Sequence, residues 1–174
     1  MIRAMVVAGL ATGCAVARAA EPKPEGPATG VRWKVVAVHD GDTVRCLDPD
    51  NVQHKVRLVG IDAPETGQPF GTKSREHLAS LVMGRIVAVD RHGEDRYGRT
   101  LARLDAEGHD VGREMIAAGM AWHYVRYDHD TKLAEAEREA RGAKRGLWAD
   151  PKPVPPWEWR AGEHDKAREG RSSR

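Results

Sequence analysis

Residues 33–59 read WKVVAVHDGDTVRCLDPDNVQHKVRLV, three short apolar runs separated by two polar turns. The runs over 33–38, 43–47 and 53–59 are rich in β-branched residues, and this composition predicts three strands. The turns, one centred on Gly41 and one over 48–51 (DPDN), carry the residues that favour tight reversals. This stretch therefore predicts an antiparallel meander and not a βαβ unit.

The remainder of the chain adds helices and two more strands. The spacing of apolar residues and the glycines at helix ends predict helices over 74–83, 111–118 and 133–143, and strands over 86–89 and 100–104 with a turn centred on Gly93. Five short strands with helices after the third and fifth predict an α+β fold, a five-stranded OB-type Greek-key β-barrel with about three helices. Residues 151–156 are expected to be extended, with Trp157 and Trp159 packed against the barrel.

The two ends of the chain differ in composition from the domain between them. Residues 1–19 combine Arg3, a short apolar stretch and the sequence Ala17-Arg18-Ala19, which is typical of a cleaved secretory signal. Residues 20–31 are expected to be a flexible leader, 32–160 the domain, and 161–174 a disordered tail. The predicted location is secreted or periplasmic, with no membrane segment in the mature form, and we expect a monomer.

Charge and cysteine content limit the kinds of binding site and cross-link that the mature chain can contain. The 28 Lys and Arg residues include Arg3 and Arg18 of the signal, so the mature chain carries 26 basic and 26 acidic residues. Attraction to a polyanion must therefore be local. Cys14 lies in the signal, where the neighbouring residues loosely resemble a lipid-attachment site. Cys46 is then the only cysteine of the mature chain, which excludes an intramolecular disulfide, and its apolar strand favours core packing.

Charged residues recur in three short segments: Asp40-Gly41-Asp42-Thr43-Val44, Arg57-Leu58-Val59-Gly60-Ile61-Asp62-Ala63-Pro64-Glu65 and Asp95-Arg96-Tyr97-Gly98-Arg99. Each segment alone has an ordinary explanation as a turn or as a solvated strand residue. Arg57 is the exception in part, because a strand with apolar neighbours leaves its cation in need of an anion. Together, the segments contain carboxylates for a hard cation and arginines for a phosphate.

The order and spacing of these segments closely resemble the staphylococcal nuclease (thermonuclease) family, over about residues 33–148. The sequence Pro155-Pro156-Trp157-Glu158-Trp159-Arg160 looks like that of bacterial secreted relatives. The resemblance implies that Asp42, Asp62 and the backbone carbonyl of Ala63 bind Ca²⁺, with Asp40 in the outer sphere. Oxygen ligands of this kind suit Ca²⁺.

The resemblance also implies roles for the other charged residues. Glu65 would orient or deprotonate the attacking water. Arg57 and Arg99 would hold the scissile phosphate, because a guanidinium matches two phosphate oxygens. Arg96, Tyr97 and Tyr127 would contact the nucleotide.

The predicted function is that of a calcium-dependent nuclease that hydrolyses phosphodiester bonds of DNA and RNA with low sequence specificity and leaves 3′-phosphates. Contacts to the phosphate backbone carry no sequence information, which agrees with low specificity. The alternative is a non-catalytic OB module that binds nucleic acid or protein. The set Asp42, Asp62, Glu65, Arg57 and Arg99 favours the enzyme, since a binding module has no need of all five.

Overall fold

Five strands close into a mixed β-barrel in the computed structural model, which describes residues 30–162. The barrel strands are β1 (Val31–Val38), β2 (Thr43–Leu47), β3 (Gln53–Leu58), β5 (Ile86–Glu94) and β6 (Thr100–Ala106). They pair in the order β3-β2-β1-β5-β6, and a parallel pairing of β3 with β6 closes the ring. Because every strand of the ring has two neighbours, no barrel edge is left open. The OB-type α+β prediction is confirmed.

Helices and short strands surround the barrel. The helices are α1 (Gly71–Val82), α2 (Val111–Ala117), α3 (Thr131–Gly142) and α4, which covers 156–162; a 3₁₀ turn covers Gly146–Ala149. The short strand β4 (Ile61–Asp62) pairs antiparallel with β8 (Trp122–His123), and β7 (His109–Asp110) extends from β6. None of these helices, within residues 30–162, is both long and apolar enough to cross a bilayer.

Alternating side chains of the barrel strands form the main core. Val35, Val44, Val56 and Val87 are fully buried and contact the apolar faces of α1 and α2. Cys46 is also fully buried, as predicted, and burial raises the pKa of its thiol to about 12. A second, smaller core lies beside α3, where Trp122, Ala140, Leu147 and Trp148 pack together.

Several sequence predictions need correction at their boundaries. The β5–β6 turn lies at residues 95–99 and not around Gly93, because β5 continues past a register shift between Arg91 and Gly93. Strand β1 begins at Val31, inside the predicted leader.

Residues 156–162 form α4, whereas the sequence predicted an extended segment through 156 and a disordered tail from 161. Pro155 and Pro156 favour extended backbone, but proline is also compatible with the first turn of a helix, where Pro156 lies. The signal at 1–19, the leader up to residue 29 and the tail from residue 163 lie outside the described residues.

Candidate active site

Asp42 and Asp62 come together because two backbone segments pass very close to each other. Asp42 ends the turn between β1 and β2, and Asp62 lies in β4. The backbone N–H of Ala63 donates to Asp42 Oδ2 at 2.9 Å, which joins the two segments. Gly41 permits this approach, since a Cβ at that position would overlap the Ser74 hydroxyl of α1 and would lie 2.7 Å from the Cβ of Ala63. Both carboxylates are buried, Asp62 with 1% and Asp42 with 6% of its surface exposed.

Arg57 is the cation that balances this pair. It projects from β3 between the buried residues Val56 and Leu58, on the opposite face, as the alternation predicted. Its Nη2 donates to Asp62 Oδ1 at 2.9 Å and lies 3.0 Å from Asp42 Oδ2. Its Nη1 donates to the carbonyl oxygens of Leu58 and Ile61. The anionic partner that the sequence demanded of Arg57 is therefore the Asp42–Asp62 pair.

Arg57 does not fully offset the cost of burying the Asp42 carboxylate. Burial, and secondarily the nearby charge of Asp40, raise the pKa of Asp42 to about 6 despite the opposing effect of Arg57. Asp40 is close because its Oδ1 accepts the backbone N–H of Asp42 at 3.1 Å. Burial also raises the pKa of Asp62. In both carboxyl groups the cost of burial outweighs the stabilisation that the neighbouring cations give the ionised form.

Glu65 leaves the same segment three residues after Asp62, in the loop that leads to α1. Its backbone N–H donates to Oε1 of Gln68 at 3.0 Å, and its carbonyl oxygen accepts the backbone N–H of Gln68 at 2.9 Å. The loop lies tightly against the start of α1, where a Cβ on Gly71 would overlap the Glu65 carbonyl oxygen. The backbone of Glu65 is thus fixed, while its side chain remains 37% exposed.

Arg160 of α4 is a site residue that the sequence analysis missed. Its Nη2 donates to Asp62 Oδ2 at 2.8 Å, and its Nη1 donates to Glu65 Oε1 at 2.5 Å. Partial burial works against its charge, but the hydrogen bonds to Asp62 and Glu65 outweigh that effect and raise its pKa. The sequence offered one indication of this role, the segment Trp157-Glu158-Trp159-Arg160, in which the tryptophans predict packing against the barrel.

The net charge of this cluster is compatible with a divalent cation. The four carboxylates of Asp40, Asp42, Asp62 and Glu65 face two guanidinium groups, so the formal charge left is that which a divalent cation cancels. No group of three or more His, Cys, Asp or Glu side chains forms a metal cluster within residues 30–162. The two buried carboxylates are a small donor set, and Ca²⁺ tolerates such a set because water can complete its coordination.

Arg96, Tyr97 and Arg99 form a second cluster at the β5–β6 turn. Asp95 organises it: Oδ1 accepts the backbone N–H groups of Tyr97 and Arg99, and Oδ2 accepts Arg99 Nε at 2.6 Å. The Arg96 and Arg99 guanidiniums lie 4.8 and 5.6 Å from the Tyr97 ring centroid. These bonds from Arg99 and Tyr97 outweigh the effect of burial and lower the pKa of Asp95. These contacts fix the positions of Arg96 and Arg99 on the turn.

The barrel register relates the two clusters. In the parallel β3–β6 pairing Arg57 is opposite Leu101, and Arg99 is the residue that directly precedes β6. Tyr127 is 73% exposed, and its ring lies 5.1 Å from that of Tyr124. The structure thus brings Asp40, Asp42, Asp62, Ala63 and Arg57 into one contact network, which Glu65 joins through Arg160. Arg99, Arg96, Tyr97 and Tyr127 lie outside that network.

Comparison with known proteins identifies the family. Residues 55–150 match the model of the family described as staphylococcal nuclease homologue. The chain is 45% identical over 130 residues to an uncharacterized endonuclease of Haemophilus influenzae, covering 75% of this chain and 73% of that protein. It is 41% identical over 140 residues to micrococcal nuclease of Shigella flexneri, covering 74% of this chain and 80% of that protein.

A further relative, protein ParB of Escherichia coli, is 41% identical over 151 residues, covering 80% of this chain and 85% of that protein. The family match over residues 55–150 includes Arg57, Asp62, Glu65 and Arg99. The chain belongs to the staphylococcal nuclease family and is a nuclease.

Proposed function

We propose that this nuclease is calcium-dependent and hydrolyses phosphodiester bonds of DNA and RNA with low sequence specificity, leaving 3′-phosphates. The observation that carries the proposal is the buried Asp42–Asp62 pair, in which both pKa values stay raised although Arg57 pairs with both carboxylates and Arg160 pairs with Asp62 and Glu65. A predicted signal at 1–19 agrees with a secreted or periplasmic enzyme that acts as a monomer. The relatives named endonuclease and micrococcal nuclease support nucleic acid as the substrate.

Asp42, Asp62 and the carbonyl of Ala63 would hold the Ca²⁺ ion, with Asp40 acting through water. The bound ion supplies positive charge to the oxygens of the phosphodiester group. Ionised carboxylates are the ligands that it needs, and Asp42, with a pKa of about 6, is ionised at neutral pH.

Glu65 accepts the proton of the attacking water, or orients that water, with the carboxylate oxygen that Arg160 does not hold. Arg99 holds the phosphate, and its planar guanidinium donates to two oxygens at once as negative charge builds on them. Arg57 shares this task from the buried side. It already donates to Asp62, Leu58 and Ile61, so its second task is to keep the metal ligands in place. Arg96, Tyr97 and Tyr127 contact neighbouring nucleotides.

The test is a digest of plasmid DNA, single-stranded DNA and RNA with Ca²⁺, with Mg²⁺ and with chelator. We expect cleavage of all three substrates with Ca²⁺ and none with chelator. Products should accept 3′ extension only after phosphatase treatment, which reports a 3′-phosphate. Cleavage that persists in chelator would contradict calcium dependence. Products that can be extended without phosphatase treatment would contradict the proposed 3′-phosphate ends.

A further inference from the structure

Helix α4 is anchored to the strand pair that carries Asp62. The Trp157 ring stacks on Tyr124, with centroids 5.4 Å apart, and meets Trp122 edge-on at 5.7 Å. Trp122 is the partner of Asp62 in the β4–β8 ladder. Aromatic contacts of this kind fix orientation in addition to burying surface. The position of α4 relative to the carboxylate cluster is therefore set by packing.

A second connection joins the segment before α4 to the loop of Glu65. The Gln68 side chain is buried and bridges the two: its Oε1 accepts the Glu65 N–H, and its Nε2 donates to the carbonyl oxygen of Val154 at 2.7 Å. A buried amide with both ends satisfied holds its two partners at a fixed separation. The C-terminal segment and the Glu65 loop thus form one unit.

Arg160 follows Trp157 by three residues, so the two side chains project from the same side of the helix. With Trp157 packed, the guanidinium reaches both Asp62 and Glu65. Within residues 30–162, Arg160 is the only group found to hydrogen-bond the Glu65 carboxylate. One carboxylate oxygen is occupied in this way, and the other is available to a water.

We propose that Arg160 is a positioning residue, which fixes the Glu65 carboxylate relative to the metal ligand Asp62, and that α4 is thereby part of the catalytic centre. The inference rests on the proposed role of Glu65. Arg57 and Arg99 are proposed to bind the phosphate directly, whereas Arg160 would act through the Glu65 carboxylate.

The test compares steady-state kinetics of Arg160→Ala, Arg160→Lys and the control Glu158→Ala, an exposed change on the same helix. At saturating Ca²⁺ we expect kcat of Arg160→Ala to fall at least about tenfold with KM within about threefold, because a misplaced Glu65 affects the chemical step. Arg160→Lys should recover part of kcat, and Glu158→Ala should match the wild type. A rise in KM at unchanged kcat would instead make Arg160 a substrate contact and overturn the inference.

A double-mutant cycle with Glu65→Gln separates a positioning role from general damage. If Arg160 acts through Glu65, the double variant should cleave within about twofold of Glu65→Gln alone. Full additivity of the two losses would refute the inference. Circular dichroism melts of each variant give the folded fraction at the assay temperature, and rates are expressed per folded molecule.

Calorimetric titration with Ca²⁺, in the absence of nucleic acid, provides a readout independent of activity. Removal of a positive charge beside Asp62 should leave calcium binding of Arg160→Ala equal to or tighter than that of the wild type. Binding weakened more than about threefold would place Arg160 in support of the metal site and overturn the role assigned here. If the wild type cleaves nucleic acid and Arg160→Ala cleaves at the same rate, this inference alone is refuted. If the wild type does not cleave, the proposed function is refuted as well.

Discussion

Asp42→Asn should make the metal-free protein more stable at neutral pH, although it removes a proposed metal ligand. The ionised Asp42 carboxylate is buried next to Asp62 and Asp40, and its pKa is raised to about 6 from 3.8. A pKa about 2 above the ordinary value corresponds to about 3 kcal/mol of unfavourable free energy when the group is ionised in the folded protein. Asparagine has nearly the shape of the protonated acid and carries no charge.

The hydrogen bonds of Asp42 allow this replacement. The amide oxygen can accept the Ala63 N–H that Oδ2 accepts now, and the amide nitrogen can donate to the Thr43 hydroxyl, which at present donates to Oδ1. Arg57 keeps Asp62 as its partner. We therefore expect the free energy of unfolding in chelator at pH 7 to rise by about 1–3 kcal/mol.

The stability gain of Asp42→Asn should depend on pH in a direction that the pKa of Asp42 determines. Because the folded-state pKa is above the unfolded value, protonated Asp42 contributes stability that is fully present below about pH 4 and is lost as pH rises through about 6. The advantage of Asp42→Asn should accordingly vanish near pH 4 and reach its full size by about pH 7. Urea unfolding in chelator, followed by tryptophan fluorescence at several pH values, measures both quantities.

Calcium should reverse the order of stability. A ligand at 100 times its Kd stabilises the folded state by about 2.7 kcal/mol, and the variant should gain much less than the wild type. Asp48→Asn provides a control of opposite sign, since the hydrogen bond from His54 lowers the pKa of Asp48 and its loss should reduce stability at pH 7. An Asp42→Asn variant that is less stable than the wild type in chelator, or whose advantage is the same at pH 4 and pH 7, would refute the reasoning.

Three further predictions follow from the site. Glu65→Gln should lower kcat by at least about 100-fold while melting within about 2 °C of the wild type, because its ion pair with Arg160 is partly exposed; a loss below tenfold would reject the assigned role. Arg57→Ala and Arg99→Ala should both impair cleavage, but in chelator urea unfolding should show a loss of about 3–5 kcal/mol for the former, which leaves the buried Asp42 carboxylate without Arg57 as its cation, and at most about 1 kcal/mol for the latter; equal losses would contradict the burial argument. Gly41→Ala should reduce calcium affinity in calorimetry because its Cβ would overlap Ser74 and Ala63 and so displace the turn that carries Asp42, whereas Gly142→Ala, whose Cβ meets open space, should bind as the wild type does; unchanged binding by Gly41→Ala would show that the close approach is dispensable.

The barrel was predictable from the sequence because its strands are short, local and patterned. The runs at 43–47 and 53–59 alternate apolar and polar residues, and they appear as β2 and β3 with at most one residue of difference. The face that Arg57 occupies was predictable for a related reason, since alternation alone puts it opposite Val56 and Leu58, where a cation without an exposed position needs an anion. The length of β5 was not predictable, because its last residues form a strand only through pairing with β6 across a register shift.

The sequence by itself determined the strand pattern and the family resemblance, and that resemblance named Asp40, Asp42, Asp62, Glu65, Arg57 and Arg99 as the chemistry-bearing residues. Only the tertiary structure decided which of them touch. Residues 21 positions apart, Asp42 and Ala63, share a hydrogen bond because a glycine lets two segments meet. Arg160, 95 positions after Glu65, enters the site because Trp157 packs on Trp122 and Tyr124. Local pattern specifies which face a side chain occupies, but the partner it finds there depends on long-range packing, which has no local signature.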